Sequence, residues 1–329
     1  MKVCLTGATG FIGSAIVDLI STLESSEISI LSLTRKASLE LIETSRIAEF
    51  NLENLSSFDP KLLKGYDVLI HTAALVHTSK NEALDSLSEH RKINCDATLK
   101  LAKMVASSGV KRFVFLSSIG VNGIVSKEPF TEKDDVKPHD DYSLSKYEAE
   151  LGLMDIAHNT GMEVVIIRPP LVYGPGAPGN FTSLVKWVKK SYPMPFGAVQ
   201  NYRSFVALDN LVDFILLCAN QEKSPKAANE VFLISDGRDV STPELLRKVA
   251  KSYEVKSRLL PVPVSLMRFA TKILGIGKIA DRLFENLQID NSKAYDLLGW
   301  RPVVTMDEQL KKMAGYDQKG RLRSNDSST

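Results

Sequence analysis

Thr6-Gly7-Ala8-Thr9-Gly10-Phe11-Ile12-Gly13 is a glycine loop that joins a short apolar run to an amphipathic stretch. This order predicts a strand, a tight turn and a helix. Gly7 permits the turn, Gly10 lets the backbone approach a pyrophosphate, and Gly13 lets the helix and the strand pack closely. Free N–H groups at the start of the helix would then face the phosphates. The loop therefore predicts dinucleotide binding, and a purely structural turn is the alternative.

Apolar and amphipathic stretches alternate through the first half of the chain. Five nearly continuous apolar runs indicate strands buried on both faces. They are Val3 to Thr6, Ile28 to Leu33, Val68 to His71, Phe113 to Ser117 and Val164 to Ile167. Helical periods run over Phe11 to Leu23, Leu84 to Ser107 and Tyr142 to Asn159, and Gly161 would cap the last of these. We therefore predict an α/β fold with a doubly wound parallel sheet of the Rossmann type.

A change of composition follows Arg168, where prolines and glycines crowd into residues 169–179. Such punctuation marks a loop-rich boundary. We predict a dinucleotide-binding domain over residues 1–170, with some later segments returning to it, and a smaller C-terminal α/β domain for the substrate over 171–314. The polar segment 315–329 is predicted to be a disordered tail.

The overall composition is that of an ordinary globular protein, with 44% apolar and 24% charged residues. A net charge of +2, from 41 basic and 39 acidic residues, gives no electrostatic case for nucleic acid or an anionic membrane as a partner. The apolar runs are too short to span a bilayer, and a presequence is not evident, so a cytoplasmic protein is expected. Cys4, Cys95 and Cys218 lack the spacing of metal ligands, and we predict no metal site.

Tyr142 and Lys146 form the predicted catalytic pair, since a spacing of four residues places both side chains on one helix face. A free phenol titrates near pH ~10 and needs a nearby positive charge to act at neutral pH. Lys146 and a positively charged nicotinamide would supply that charge. Tyr142 could then exchange a proton with a substrate hydroxyl as hydride moves. Ser117-Ser118 ends a predicted strand, where a serine hydroxyl could orient the reacting oxygen or simply cap the backbone.

Three motifs together resemble the extended short-chain dehydrogenase/reductase family, which includes the epimerases, dehydratases and reductases of nucleotide sugars. They are the G-x-x-G-x-x-G spacing of the glycine loop, the serine-ended strand in FLSSIGVNG and the Tyr-x-x-x-Lys pair. By this resemblance Ser118, rather than Ser117, is the third catalytic residue. The resemblance also implies a cofactor site formed by Gly7, Thr9, Gly10, Phe11, Ile12, Gly13, Arg35, Asn51, Leu52, Thr72, Ala73, Ala74, Asn94, Ser117, Tyr142, Lys146 and Pro169.

Arg35 bears on the choice of cofactor. In the family, NAD users usually carry an acidic residue at the end of the second strand, where it contacts the adenosine ribose. Here the strand ends in Thr34-Arg35-Lys36, and a guanidinium suits a 2′-phosphate. NADP(H) is therefore favoured and NAD(H) remains possible. Asn51 stands where the family usually has an aspartate near the adenine.

The second half resembles the nucleotide-sugar branch of the family. By this resemblance Asn180 matches the position that contacts the substrate diphosphate, and Val206 could pack near the nucleotide base. Arg203 and Arg282 are the candidates for bidentate diphosphate contacts, with a surface salt bridge as the alternative for each. Two long helices, Leu84 to Ser107 and Tyr142 to Asn159, match the dimer interface of the family and imply a homodimer, although buried helices would look the same in sequence. The segments FLSSIGVNG and IIRPPLVYGPG are most similar to those of the UDP-4-keto-6-deoxy-N-acetylhexosamine 4-reductases of bacterial surface-polysaccharide synthesis.

The reaction expected from this resemblance is hydride transfer at C4 of a UDP-hexose. A 4-reductase is the main expectation, and a UDP-glucose or UDP-N-acetylglucosamine 4-epimerase with tightly bound NAD is the alternative. A 4,6-dehydratase is disfavoured because Ser118-Ile119 lacks the acidic pair of that group. A non-catalytic dinucleotide sensor is a second alternative, but such proteins typically lose the tyrosine or the lysine.

Overall fold

A parallel seven-stranded sheet forms the centre of the protein in the computed structural model, which describes residues 1–23, 28–35, 39–76, 86–273 and 283–326. Its strands are β1 Lys2–Thr6, β2 Ser29–Thr34, β3 Arg46–Glu49, β4 Val68–His71, β5 Arg112–Leu116, β6 Glu163–Arg168 and β9 Glu230–Leu233. Their order in the sheet is β3-β2-β1-β4-β5-β6-β9. A separate parallel pair consists of β7 Leu171–Tyr173 and β8 Phe205–Ala207. Each of the five predicted strands lies within one residue of an observed one.

The helices cover both faces of the sheet and build the second half of the chain. In chain order they are α1 Phe11–Thr22, α2 Leu39–Thr44, α3 Ser86–His90, α4 Thr98–Ser107, α5 Asp141–Thr160, α6 Asn180–Lys189, α7 Leu208–Ala219, α8 Thr242–Ser252, α9 Val264–Ile273, α10 Ser292–Leu298 and α11 Met306–Asp326. A π-helical segment, Arg91–Ala97, joins α3 to α4, where the sequence predicted one regular helix. Gly161 ends α5 in the left-handed conformation, as predicted.

Two hydrophobic cores lie on opposite faces of the sheet, because successive strand residues point to opposite sides. On one face, Leu5 and Val114 pack with apolar side chains of α1 and α7. On the other face, Phe113 and Phe115 pack with α4 and α5. This arrangement confirms the predicted doubly wound α/β fold, and it leaves the carboxyl ends of the strands as the edge where a ligand can bind.

The second half of the chain contributes to both parts of the molecule. Strand β9 pairs with β6, and α7 packs against α1, so these later segments lie with the main sheet. A smaller core forms from α6, α8 and α11 with the β7–β8 pair. Tyr173 in β7 donates a hydrogen bond from its hydroxyl to Asp236 Oδ2 at 2.7 Å, which ties the small sheet to the chain after β9.

The prediction of a disordered tail over 315–329 differs from the structure. Helix α11 continues to Asp326, and residues 327–329 lie outside the described part. Asp317 accepts hydrogen bonds from Lys189 Nζ at 2.7 Å and from the Tyr253 hydroxyl at 2.9 Å. These contacts join segments far apart in the chain, so the polar composition of the tail did not reveal them. Within the described residues, every helix is too short or too polar to cross a membrane.

Candidate active site

The glycine loop packs tightly against the segment that follows β4. Gly7 has φ +76°, and a Cβ there would lie 2.8 Å from the backbone nitrogen of Ala73. A Cβ on Gly13 would lie 2.0 Å from the carbonyl oxygen of Gly7. Thr72 Oγ1 donates to the Thr6 carbonyl at 2.7 Å and fixes this second segment. Glycine is therefore required at both positions by φ or by close approach.

The start of α1 has the character of an anion site. Its N-cap is Gly10, which supplies no capping side chain, and the first turn contains no acidic residue. A Cβ on Gly10 would meet only the Gly7 carbonyl oxygen within 4 Å, at 3.2 Å, so the approach to this residue is open. Thr9 is exposed beside it, and Phe11 and Ile12 are half-buried. Free N–H groups and the helix dipole in such a cradle fit a pyrophosphate.

Helix α5 holds Tyr142 and Lys146 in its first two turns. A capping box fixes this end of the helix, since Asp140 Oδ1 accepts from the Ser143 N–H at 2.8 Å and Ser143 Oγ accepts from the Asp140 N–H at 3.1 Å. Tyr142 meets the ring of His90 edge-on, with ring centroids 6.0 Å apart. Lys146 is 1% exposed, and its Nζ lies 4.0 Å from the centroid of the Phe115 ring.

Burial shifts both members of this pair towards their neutral forms. It raises the pKa of Tyr142 to about 12, and the negative charge of Asp140 adds to the rise. It lowers the pKa of Lys146 to about 7, while the Glu150 carboxylate opposes that shift. The expected lowering of the tyrosine pKa by Lys146 is thus absent in the protein alone.

The two adjacent serines make different contacts, and Ser118 is the one that caps the backbone. Ser118 Oγ accepts the Gly120 N–H at 3.1 Å and caps the short turn Ile119–Val121. Its hydroxyl hydrogen remains available to a substrate oxygen. Ser117 is buried and donates its hydroxyl to Glu150 Oε1. The hydroxyl of Ser117 therefore belongs to the interior, although it was predicted to line the cofactor.

A buried ion pair lies beside the predicted catalytic residues. Arg168, the last residue of β6, donates from Nε to Glu150 Oε1 at 3.0 Å and from Nη1 to Asn122 Oδ1 at 2.9 Å. Glu150 and Arg168 are 3% and 4% exposed. Glu150 was not among the predicted site residues, although its position four residues after Lys146, on the same helix face, was a signal.

Asn94 connects the active-site helix to the segment after β4. It lies in the π-helical turn, and its amide exchanges hydrogen bonds with the backbone of Leu75 at 2.8 and 2.9 Å. Its Nδ2 also donates to Ser145 Oγ on α5 at 3.1 Å. Asn94 is 1% exposed, so the structure places it as an internal connection.

His71 lies under the site as a buried neutral side chain. Its Nδ1 is 2.7 Å from Thr6 Oγ1 and its Nε2 is 3.0 Å from Thr98 Oγ1. Burial, together with the charge of Lys146, lowers the pKa of His71 to about 3. The site therefore receives no positive charge from this imidazole at neutral pH.

Comparison with known proteins agrees with this geometry. The model of the NAD dependent epimerase/dehydratase family matches residues 3–234. The chain belongs to that family. It is accordingly an enzyme of the extended short-chain dehydrogenase/reductase type, as its motifs predicted, and its cofactor is a nicotinamide dinucleotide.

Similar proteins cover almost the whole chain. A UDP-glucose 4-epimerase of Vibrio cholerae is 42% identical over 316 residues, which are 95% of this chain and 94% of the relative. The UDP-glucuronic acid 4-epimerase of Bacillus cereus, solved with NAD, has a TM-score of 0.76 at 22% identity and covers 97% of this chain and 99% of that one. The UDP-glucose 4-epimerase of Thermotoga maritima, solved with UDP-glucose, has a TM-score of 0.73 at 24% identity with the same coverage. The two solved structures establish the likeness of fold.

Glu53 places a carboxylate beside Arg35, at the predicted adenosine end of the site, and was not among the predicted site residues. Arg35 Nη1 lies 3.5 Å from Glu53 Oε1, with the two side chains 71% and 56% exposed. Asn51 Oδ1 accepts the Glu53 N–H at 3.0 Å, and Leu52 packs beside the α4–α5 core. The guanidinium at the end of β2 therefore already has an anionic partner.

The predicted substrate residues have different environments. Arg203 donates from Nη1 to the Glu285 carbonyl at 3.0 Å and is half-buried. Val206 was predicted to pack near the nucleotide base, but its side chain is 0% exposed in the main core and cannot line an open site. Asn180 begins α6, but its side chain lies outside the described part of the chain, as does Arg282.

Pro169, a predicted cofactor residue, lies next to Ser118, because its carbonyl accepts the Ile119 N–H at 2.9 Å.

Proposed function

We propose that the protein is a nucleotide-sugar 4-epimerase that inverts C4 of a UDP-hexose with NAD. The observation that carries this proposal is the 42% identity, over nearly the full length of both chains, to a UDP-glucose 4-epimerase. This identity makes the 4-epimerase, and no longer the 4-reductase, the main interpretation.

Bound NAD would accept hydride from C4 and return it to the opposite face of the resulting ketone. The residues of this chain manage the accompanying proton. In its phenolate form Tyr142 would take the proton of the C4 hydroxyl as the hydride leaves, and the resulting phenol would give it back when the ketone is reduced, so atoms and charge balance over the cycle. Ser118 can donate its free hydroxyl hydrogen to the same oxygen and keep it aligned with Tyr142.

Lys146 and the glycine loop would place the cofactor beside this proton path. The Lys146 ammonium is confined between Phe115 and α5 and has few alternative positions. Its pKa of about 7 makes its charge respond to neighbouring groups near neutral pH. The N-terminus of α1 supplies uncapped N–H groups for the pyrophosphate.

A 4-reductase is the second candidate, and one observation favours it. Strand β2 ends without an acidic side chain at Thr34 and Arg35, and exposed ion pairs such as Arg35–Glu53 are weak. The guanidinium could therefore exchange Glu53 for the 2′-phosphate of NADPH.

One set of assays distinguishes the 4-epimerase reaction from the 4-reductase reaction. Purified protein is incubated with UDP-glucose and with UDP-N-acetylglucosamine without added cofactor, and the C4 epimers are quantified. In parallel, UDP-4-keto-6-deoxy-N-acetylglucosamine is supplied with NADH or NADPH, and the reduced-nicotinamide absorbance is followed. Epimer formation that Tyr142→Phe abolishes supports the proposal. Stoichiometric consumption of NADPH without epimer formation would overturn it in favour of the reductase.

A homodimer built from α3, α4 and α5 is part of the proposal. Leu151 on α5 is 52% exposed and is available for a contact between copies. Light scattering of the purified protein tests this, since Leu151→Glu should lower the average mass if α5 lies in the interface.

A further inference from the structure

Helix α9 is apolar on the side that faces solvent. Leu266, Phe269 and Ile273 recur at helical spacing and are 58%, 64% and 70% exposed. Met267 points to the opposite side and packs with Val199 and Phe284. A surface helix normally presents polar residues to solvent, so the exposed apolar stripe of α9 needs an explanation.

The segment before α9 extends this apolar surface towards the end of α6. Leu260 is half exposed, and its N–H donates to the Met194 carbonyl at 2.8 Å. The Met194 N–H in turn donates to the Arg258 carbonyl at 2.9 Å. Tyr192, two residues before Met194, is exposed and meets the exposed ring of Trp187 edge-on. We call Leu260, Leu266, Phe269 and Ile273 the α9 face, and Trp187 and Tyr192 its aromatic neighbours.

The two sequence segments that form this surface are basic, and the carboxylates that pair with Arg268 and Lys189 come from Glu285 and Asp317 elsewhere in the chain. Residues 255–273 contain four basic and no acidic residues, and residues 183–197 contain three lysines and no acidic residue. Lys256, Arg258 and Lys272 are exposed, as are Lys186 and Lys190 beside Trp187. Arg268 pairs with Glu285, which lies outside both segments. The net charge of +2 for the whole chain conceals this local excess.

We propose that the α9 face and its aromatic neighbours dock the protein on the surface of an anionic lipid bilayer. A helix with apolar residues on one side and basic residues beside them lies in the plane of the membrane interface. Tryptophan and tyrosine favour the headgroup region, and lysine and arginine are attracted to anionic lipids. The association is peripheral, in keeping with the lack of a spanning helix among the described residues.

Charge also favours an anionic lipid surface over a second copy of the chain as the partner of the α9 face. A two-fold contact through the α9 face would bring the four basic residues of 255–273 in each copy towards one another. Like charges brought together oppose association, whereas an anionic surface is complementary to them. The α9 face is also independent of the proposed epimerase activity, which is assayed on a water-soluble substrate without vesicles.

Vesicle co-sedimentation of the full chain tests the proposal. Vesicles of phosphatidylcholine alone are compared with vesicles containing phosphatidylglycerol, at low and high salt. We expect binding to the anionic vesicles at low salt, with a loss at high salt because the basic residues are screened. Phe269→Glu should weaken this binding by about tenfold, since it removes buried apolar area and adds repulsion from anionic lipid.

Val303→Glu is the matched control, because Val303 is also an exposed apolar residue, at 56%, and the substitution changes the net charge equally. It should bind as the unchanged protein does. Thermal unfolding of both variants should match that of the unchanged protein. Equal binding by Phe269→Glu and Val303→Glu, or no preference for anionic vesicles, would overturn the proposal. Light scattering that shows self-association lost only in Phe269→Glu would instead identify the face as a contact between copies.

Discussion

Glu150 on α5 and Arg168 at the end of β6 form an ion pair that is almost completely buried, one helical turn from Lys146. Because Glu150 also accepts the Ser117 hydroxyl, the pair joins the ends of β5 and β6 to the helix that holds Tyr142. Buried ion pairs contribute little to stability compared with apolar packing, whereas they can specify a unique arrangement. We infer that this pair fixes the spacing between Ser118 and the tyrosine–lysine pair.

Glu150→Gln should destabilise the protein by about 3–5 kcal/mol, because it leaves the Arg168 guanidinium buried without an opposite charge. Urea unfolding measures the change. Glu148→Gln is the control on the same helix, since Glu148 pairs with the exposed Arg91, and its loss should cost at most about 1 kcal/mol. Similar costs for the two substitutions would contradict the structural role of the buried pair.

Tyr142→Phe should lower kcat by about 100-fold to 10,000-fold, since general acid–base catalysis contributes that much. The phenyl ring keeps its contact with His90, so thermal unfolding should change little. The measurement is epimer formation at saturating substrate, with circular dichroism as the check on folding. Retention of more than about a tenth of the activity would assign the proton to another group.

Lys146 should make stability rise with pH between about pH 7 and about pH 10. In this interval the unfolded chain binds the lysine proton, whereas the folded protein, with the pKa lowered to about 7, has released it. The gain from this group is about 1.4 kcal/mol per pH unit. Comparing urea unfolding of the protein and of Lys146→Met at about pH 7 and about pH 9 isolates it. If the two proteins change in parallel, the lysine is not buried as a neutral amine.

Gly10→Ala should impair NAD binding, whereas Gly13→Ala should impair folding. At Gly13 the new Cβ would lie 2.0 Å from the Gly7 carbonyl oxygen, so the loop cannot keep its shape and the folded yield should fall. At Gly10 the nearest atom is 3.2 Å away, so the fold should persist while the methyl group obstructs the pyrophosphate. Calorimetric titration with NAD distinguishes the two, and unchanged NAD affinity in Gly10→Ala would place the phosphates elsewhere.

Glu53→Gln should shift the cofactor preference towards NADP. Removal of the carboxylate frees Arg35 and removes a negative charge near the expected 2′-phosphate. We expect the ratio of NADP to NAD affinity to rise about tenfold, the value of one charge-assisted hydrogen bond. Arg35→Ala should change the ratio in the opposite direction. An unchanged ratio in both variants would mean that neither side chain contacts the ribose.

The central sheet and the placement of Tyr142 and Lys146 on one helix were predictable because their signals are local. Buried parallel strands such as β4 read as continuous apolar runs, and the spacing of Tyr142 and Lys146 alone places them on one face. Strand β3 was missed because Arg46–Glu49 is a short edge strand with two charged ends. The three-residue strands β7 and β8 are too short to show a period.

Other features depend on contacts between distant segments and could not be read from local patterns. The Glu150–Arg168 pair joins a helix to a strand, and the Arg35–Glu53 pair crosses from β2 to the loop after β3. Val206 looked like a residue of a nucleotide pocket, but an apolar residue in a strand has the same appearance in a core. The π-helical turn at Asn94 is set by its hydrogen bonds to Leu75 and Ser145, which no helical period reveals.

Two adjacent serines follow β5, and the register of this strand decides which of them faces Glu150. Ser117 turns inward to Glu150 and Ser118 faces the other way, because successive residues of an extended chain alternate. A shift of one residue in register would leave a Ser-Ser pair in the sequence but would exchange the positions of Ser117, which contacts Glu150, and Ser118, the predicted catalytic serine. An insertion or deletion of one residue in β5 could therefore inactivate the enzyme, although all of its sequence motifs would still be present.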